Sequence, residues 1–157
     1  MNKHPTLLPN ALALCAQAQG AAETHLARAR TAVARAVAPH GELDGAALDR
    51  EQRAAHGLAW LATYVTALRE MLGWARRLKS HGALGDLETL ILQAAFAEYL
   101  AQIAGGIAMS QGEMVRPADF GLEDEIHVLQ SDSAGRLLVR HGAGSPVLMA
   151  IAEGIAD

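Results

Sequence analysis

Apolar residues recur at helical spacing from residue 10 to about residue 109, and two groups of turn-forming residues divide that run into three long helices. The first is predicted over 10–38, with Asn10 as its N-cap and Pro39 and Gly41 ending it. Ala22, Leu26, Ala29, Val33, Ala36 and Val37 make its apolar side, while His25, Arg28, Arg30 and Arg35 fall on or beside the other face. Gly20 costs about 1 kcal/mol relative to alanine inside a helix, so a kink or a split there stays open.

The second helix is predicted over 44–79, closed by Ser80-His81-Gly82, with Gly82 suited to a left-handed cap. It carries two apolar stripes side by side. Leu58, Leu61, Val65, Leu68, Leu72 and Ala75 form one, and Trp60, Tyr64, Ala67, Met71, Trp74 and Leu78 form the other. Two adjacent stripes predict burial on two sides, as for a helix sandwiched in a bundle. The polar strip of His56, Thr63, Thr66, Arg69, Arg76 and Arg77 is left for solvent or a partner.

The third helix, predicted over 86–109, is doubly striped as well. Leu87, Leu90, Ile91, Ala94, Ala101 and Ala108 give one face; Leu92, Phe96, Tyr99, Leu100, Ile103 and Ile107 give another. Gly105-Gly106 near its end costs about 2 kcal/mol against alanine, so the pair needs a reason: close backbone approach, a bend, or termination. From Ser110 to Leu122 a long bent loop is expected. Short helices follow at 122–131 and 145–155, the latter opened by Ser145 as N-cap and Pro146 in first position. The intervening SAGRLLVRHGAG reads as a helical turn or a short extended piece. Residues 1–9, with two prolines, read as a disordered or loosely docked tail, and 10–157 as a single domain. The predicted fold class is all-α: an up-down helical bundle of three long helices plus short C-terminal helices.

Composition adds one point. Of 157 residues, 51% are hydrophobic, 33 being alanine, and only 19% are charged against the roughly 25% usual for soluble domains. Little polar material is left to cover a small domain, which predicts an apolar surface that meets a partner. Thirteen Lys+Arg against seventeen Asp+Glu give a net charge of −4 and no basic footprint for nucleic acid or an anionic membrane. No window is apolar for the roughly 18 residues that a membrane span needs. The N-terminus imitates a secretory signal only faintly, so a cytoplasmic location is expected. The single cysteine, Cys15, reads as a small helix-face residue.

Candidate chemistry is sparse. The seven histidines are scattered, with no HExxH, HxH or Glu-x-x-His, so no metal ligand is assigned. Glu123-Asp124-Glu125 with His127 reads as the solvated first turn of a helix. Neither GxSxG, a Walker loop nor GxGxxG occurs, and no catalytic residue is assigned. What remains is the stretch EYLAQIAGGIAMSQGEMVR. Glu98 and Gln102 sit one turn apart on an apolar helix, and Gly105-Gly106 permit a backbone or flat ligand to approach. Ser110-Gln111-Gly112-Glu113 has the spacing of a capping box at a helix start.

The phrases HGLAWLATYV (56–65), EYLAQIAGGI (98–107), SQGE (110–113) and RPAD (116–119) resemble the N-terminal helical extension of methylsuccinyl-CoA dehydrogenases, over roughly residues 25 to 122. These are flavin-dependent members of the acyl-CoA dehydrogenase superfamily. The resemblance implies a fold similar to an acyl-CoA dehydrogenase helical domain. Gln102-Ile103-Ala104-Gly105-Gly106 is also similar, more loosely, to a Gln-x-x-Gly-Gly element that packs near the flavin of a neighbouring subunit; Ala108 stands where that element has a third glycine. By that likeness Gln102, Gly105 and Gly106 are candidate cofactor-binding residues. Glu98, Ser110, Gln111, Glu113 and Arg116 are candidate partner or ligand surface.

In the family this segment precedes a catalytic body that holds the flavin site, the acyl-CoA groove and the glutamate base, none of which has a counterpart among these 157 residues. The expected role is non-catalytic association, either with itself as a homo-oligomer or with an acyl-CoA dehydrogenase subunit, with no intrinsic cofactor and FAD entering through the partner. The alternative is a small flavin- or acyl-CoA-binding protein, or a fragment of such a dehydrogenase.

Overall fold

The structure, a computed structural model, describes residues 6–125 and 133–156. Six α-helices and one two-stranded hairpin make up those residues: α1 (Ala11–Val37), α2 (Gly45–Arg50), α3 (Gln52–Ser80), α4 (Asp86–Gly105), β1 (Ile107–Ser110), β2 (Glu113–Val115), α5 (Ser133–His141) and α6 (Ser145–Ala156). The fold is an all-α bundle, as the spacing predicts. Helices α1, α3 and α4 pack on one another around Phe96, Leu61, Leu68, Leu92 and Ile103, all under 2% exposed.

α1 is helical through Gly20, where Thr24 Oγ1 donates to the Gly20 carbonyl at 2.9 Å. Asn10 stands at the N-cap position but in the left-handed region (φ 57°) and makes no side-chain cap. Ala22, Leu26, Ala29 and Val33 are buried as expected, whereas Ala36 is exposed. His25 departs from the sequence reading, being 4% exposed and turned inwards with the apolar residues. Cys15 is fully buried, and loss of solvation pushes its thiol up to about 12.

The predicted 44–79 helix is two helices. Asp44 caps α2 by accepting from the Ala47 N–H at 3.0 Å, and the chain leaves helical geometry at Glu51 (φ −100°, ψ 17°) before α3 begins. No glycine or proline marks that break in the sequence. Along α3 the first stripe is buried from Leu61 to Ala75, with Leu58 half-buried. The second stripe, from Trp60 to Leu78, is only half-buried throughout. α3 is therefore covered on one side, and the expected sandwich is not complete.

α4 is the sandwiched helix. Leu92, Phe96, Leu100 and Ile103 face the main core, while Leu90 and Ala94 form a second cluster with Val147 and Ala150 of α6. Between these clusters lies Gln93, fully buried. Its Oε1 accepts from the Leu8 N–H at 2.8 Å, and its Nε2 donates to Thr6 O and Gly142 O at 3.2 and 3.3 Å. One amide thus ties residues 6–8 and the α5–α6 junction to α4, so that end of the expected tail is docked.

The third predicted helix ends early. α4 stops at Gly105, and Gly106 adopts φ 136°, ψ 126°, a conformation that glycine alone reaches without strain. Ile107–Ser110 then alternates buried and exposed positions and pairs antiparallel with Glu113–Val115. Ile107, Ala108 and Met109 are strand residues, and the Ser110–Glu113 segment is the turn of a hairpin, not a helix start. Pro117–Phe120 form a 3-10 turn that buries Phe120, followed by a second at Glu123–Glu125. The rest of the helix expected at 122–131, with His127, lies outside the described residues, as does His4. The last two helices lie at Ser133–His141, where a turn or extended piece was open, and at Ser145–Ala156. Ser145 is the first helical residue and not the N-cap, so the helix starts one residue earlier than expected, with Gly144 O accepting the Val147 N–H at 2.8 Å.

Candidate interaction surface

Spacing aligns the second stripe of α3, with Trp60, Tyr64, Ala67, Met71, Trp74 and Leu78 recurring every three or four residues on one side of a long helix, and the packing of the other elements leaves it half-buried. α4 contributes Tyr99 and Gln102 beside it. The Tyr64 hydroxyl donates to Gln102 Oε1 at 2.8 Å, and the Tyr64 and Tyr99 rings stand 4.7 Å apart at 51°. Partial burial, and secondarily Tyr99, holds the Tyr64 phenol above its ordinary 10.0, so it is a neutral donor at any physiological pH. One turn before Trp60, His56 Nε2 lies 3.0 Å from the Trp60 Nε1–H. An indole N–H only donates, so that histidine nitrogen is the acceptor.

Aromatic residues are divided by chemistry. Both phenylalanines, Phe96 and Phe120, are buried; both tryptophans and both tyrosines lie half-buried on this one α3–α4 face. Phenylalanine has no polar atom and loses nothing in a dry core, whereas Tyr and Trp keep a polar atom that favours a half-buried position where it can be hydrogen-bonded, as for Tyr64 and Trp60. Such residues dominate the buried centres of protein interfaces.

The hairpin closes one end of the face. Val115 packs directly onto Gly57 of α3, where an added Cβ would overlap the valine side chain. Arg53 on α3 holds the hairpin from outside, donating from Nη2 to Met114 O at 2.6 Å and pairing through Nε with Asp119 at 3.2 Å. Asp119 Oδ2 also accepts the Arg116 N–H at 2.7 Å. Between hairpin and α3 lies a groove of about 540 Å³ lined by Gln52, Arg53, His56, Met109 and Glu113. Replacing Gly57 by alanine normally gains about 1 kcal/mol of helix propensity. Here the overlap outweighs it by an overpacking cost of about 1–3 kcal/mol. Gly57→Ala is expected to lower the urea midpoint, and Val115→Ala in the same chain should recover part of the loss, which a double-mutant cycle reads directly.

The sequence candidates are scattered over this region. Gln102 belongs to the aromatic face and its amide oxygen is occupied by Tyr64. Gly105 is exposed; Gly106 is buried, and its open side is filled by Met114 Cε, 2.7 Å from where a Cβ would stand, and by the Arg116 side chain. Gly106 therefore offers no flat shelf, whereas the space beside Gly105 is open. Glu98 is exposed on α4. Ser110, Gln111 and Glu113 cluster at the hairpin tip, with Ser110 Oγ donating to Glu113 Oε2 at 3.0 Å. Arg116 is exposed at the hairpin base, its Nη2 3.5 Å from Met114 Sδ. Trp60, Tyr64 and Trp74, which spacing assigned to the interior, are the residues that make the surface. Gln93 is a further functional position, and a glutamine between Leu92 and Ala94 on an apolar helix is a signal visible in the sequence. Among the described residues no helix is long and apolar enough to cross a membrane.

No family profile matches the chain. A stretch of 117 residues, 74% of the chain, is 50% identical to (2S)-methylsuccinyl-CoA dehydrogenase of Cereibacter sphaeroides. The match covers 21% of that protein, so the chain spans about a fifth of the length of this curated relative. The resemblance drawn from the phrases between residues 25 and 122 is borne out at that level, and the chain is related to a segment of an acyl-CoA dehydrogenase.

Proposed function

We propose that this chain is a non-catalytic docking domain whose α3–α4 aromatic face lies against the flavin-bearing body of a methylsuccinyl-CoA dehydrogenase-type enzyme in the cytoplasm. The observation that carries this reading is the segregation of Trp60, Trp74, Tyr64 and Tyr99 onto one half-buried face while both phenylalanines are in the core. A relative that is 50% identical over the shared stretch, a stretch that makes up only 21% of it, supplies the kind of partner. FAD belongs to that partner. The chain's own part is to present a rigid face: the Tyr64–Gln102 hydrogen bond and the Arg53–hairpin contacts hold α3, α4 and the hairpin in one arrangement before any partner arrives. The groove beside the hairpin, lined by Gln52, Arg53, His56 and Glu113, is too polar for an acyl chain.

Sedimentation followed in the flavin's visible absorbance band tests the proposal, with the chain added to a FAD-loaded methylsuccinyl-CoA dehydrogenase body that lacks the matching segment. The flavin should sediment faster with the chain present. Trp60→Ala, Trp74→Ala or Tyr99→Ala should each weaken the complex by roughly 30-fold, as interface hot spots of about 2 kcal/mol do. A flavin boundary that ignores the chain at saturating concentration would count against docking. A free chain that turns yellow would favour the ligand-binding reading instead.

A further inference from the structure

A second surface stands apart from the aromatic face, and we infer that its occupant is another copy of this chain. Six large hydrophobic residues are exposed among the described residues, and five of them, Leu137, Val139, Leu148, Met149 and Ile155, lie on α5 and α6 at 42–69% exposure. α6 is held to the domain by a narrow strip. Val147 and Ala150 are buried against Leu90 and Ala94, and Gly154 packs on Leu87, 3.1 Å from where its Cβ would stand. The rest of the helix is apolar too, with Glu153 its one charged residue among those described. A helix apolar on both sides, at the surface of a domain already short of charge, leaves a patch that water covers poorly. α4 turns Leu90 and Ala94 towards α6 and Tyr99 and Gln102 towards α3, so the two surfaces use different sides of α4.

The charge pattern favours a second copy over an unrelated partner. α5 carries Arg136 and Arg140 and no acid; α6 carries Glu153 and no base. α6 runs antiparallel to the first half of α4, with Gly142 against Gln93 and Ala97 at one end and Gly154 against Leu87 at the other. Arg140 therefore stands beside the start of α6 and Glu153 near its end. Two copies related by a two-fold axis, with their α6 helices antiparallel, bring Glu153 of each towards Arg140 of the other and lay Leu148, Met149 and Ile155 together. Such a surface is self-complementary, which is what a symmetric dimer requires. Glu98, next in sequence to Ala97, is an acid at the Arg140 end, so the charges bias the pairing and the apolar area supplies most of the affinity.

Sedimentation of the full chain alone over a range of concentration tests this, and it is independent of the dehydrogenase experiment above. The chain should dimerise reversibly by about 100 µM, a weak association by the usual scale. Leu148→Lys and Met149→Lys should each reduce the association constant at least ~10-fold, with helical circular dichroism unchanged because both side chains are solvent-facing. Arg140→Glu should weaken the dimer several-fold, and Glu153→Arg in the same chain should restore it, a rescue that lost packing cannot imitate. A monomer at every concentration overturns the inference. So does a dimer indifferent to Met149→Lys, or one abolished by Trp74→Ala, which would put self-association on the aromatic face.

Discussion

Phe96→Ala is expected to be the most damaging single truncation in the domain, costing about 3–5 kcal/mol. Phe96 is 0% exposed and stands in the cluster that α1, α3 and α4 share, so neighbours on three helices would each have to move to fill the space. They are themselves tied down, because α4 is held on its other side by α6, which limits collapse and puts the cost in the upper half of that range. A domain of this size has roughly 5–15 kcal/mol of stability in all, so the variant should remain folded but lose a large share of it. Urea unfolding followed by circular dichroism measures this. The midpoint should fall with an unchanged slope, since the area exposed on unfolding hardly differs. A loss below about 1 kcal/mol would mean that the three helices are not jointly packed on this ring.

Gly142→Ala should come next, at about 3 kcal/mol, although it removes nothing. The new Cβ would stand 2.5 Å from Leu138 O, 2.8 Å from Ala97 Cβ and 3.0 Å from Gln93 O. None of these is the free end of a flexible side chain, so the backbone itself must shift, and overpacking of this kind reaches the top of the 1–3 kcal/mol range. The shift also disturbs the Gly142 carbonyl, which Gln93 Nε2 uses at 3.3 Å, and the Gly142 N–H, which donates to Leu138 O at 2.6 Å. Gly20→Ala is the internal control. Nothing lies within 4 Å of its Cβ position and it is mid-helix, so the same substitution should stabilise by about 1 kcal/mol there. Differential scanning calorimetry on the two variants should show melting temperatures displaced in opposite directions. Equal displacements would show that the α5–α6 junction does not pack on α4 as closely as Gly142 implies.

These two positions differ in how far the sequence reveals them. Phe96 sits in a stripe with Leu92, Leu100 and Ile103 that repeats every three or four residues, and its burial follows from periodicity. Gly142 lies in a short connection, HGAG, where a glycine reads only as a turn residue. Its close approach to Ala97 and Gln93 depends on how α5 and α6 dock on α4, a contact across more than forty residues. Gln93 is the intermediate case: its polarity on an apolar face was visible, but its three partners come from the chain's first residues and from residue 142, which no local pattern connects. Of the residues singled out in the 98–116 stretch, Gln102 joined the aromatic face, while Glu98 stayed on the outside and the hairpin residues formed a tip of their own. Four alternating residues in a strand are too few to outweigh a helical pattern that runs straight into them, so the hairpin was hidden behind Gly105-Gly106.

Composition and periodicity by themselves determined the all-α class, the three long helical stretches, the apolar stripes from which the main core is drawn and the shortage of charge. Each of these is a property of residues near one another along the chain, and a period of 3.6 residues records it whatever the helices pack against. The tertiary structure alone decided which stripe was left open. α3 carries two apolar stripes of similar strength, and nothing within the helix says that Leu61 and Val65 will be covered while Trp60, Tyr64 and Trp74 remain half-exposed. That outcome depends on where α1, α4 and the hairpin come to rest. Burial is a relation between elements distant in sequence, and a helix records only its own side of it.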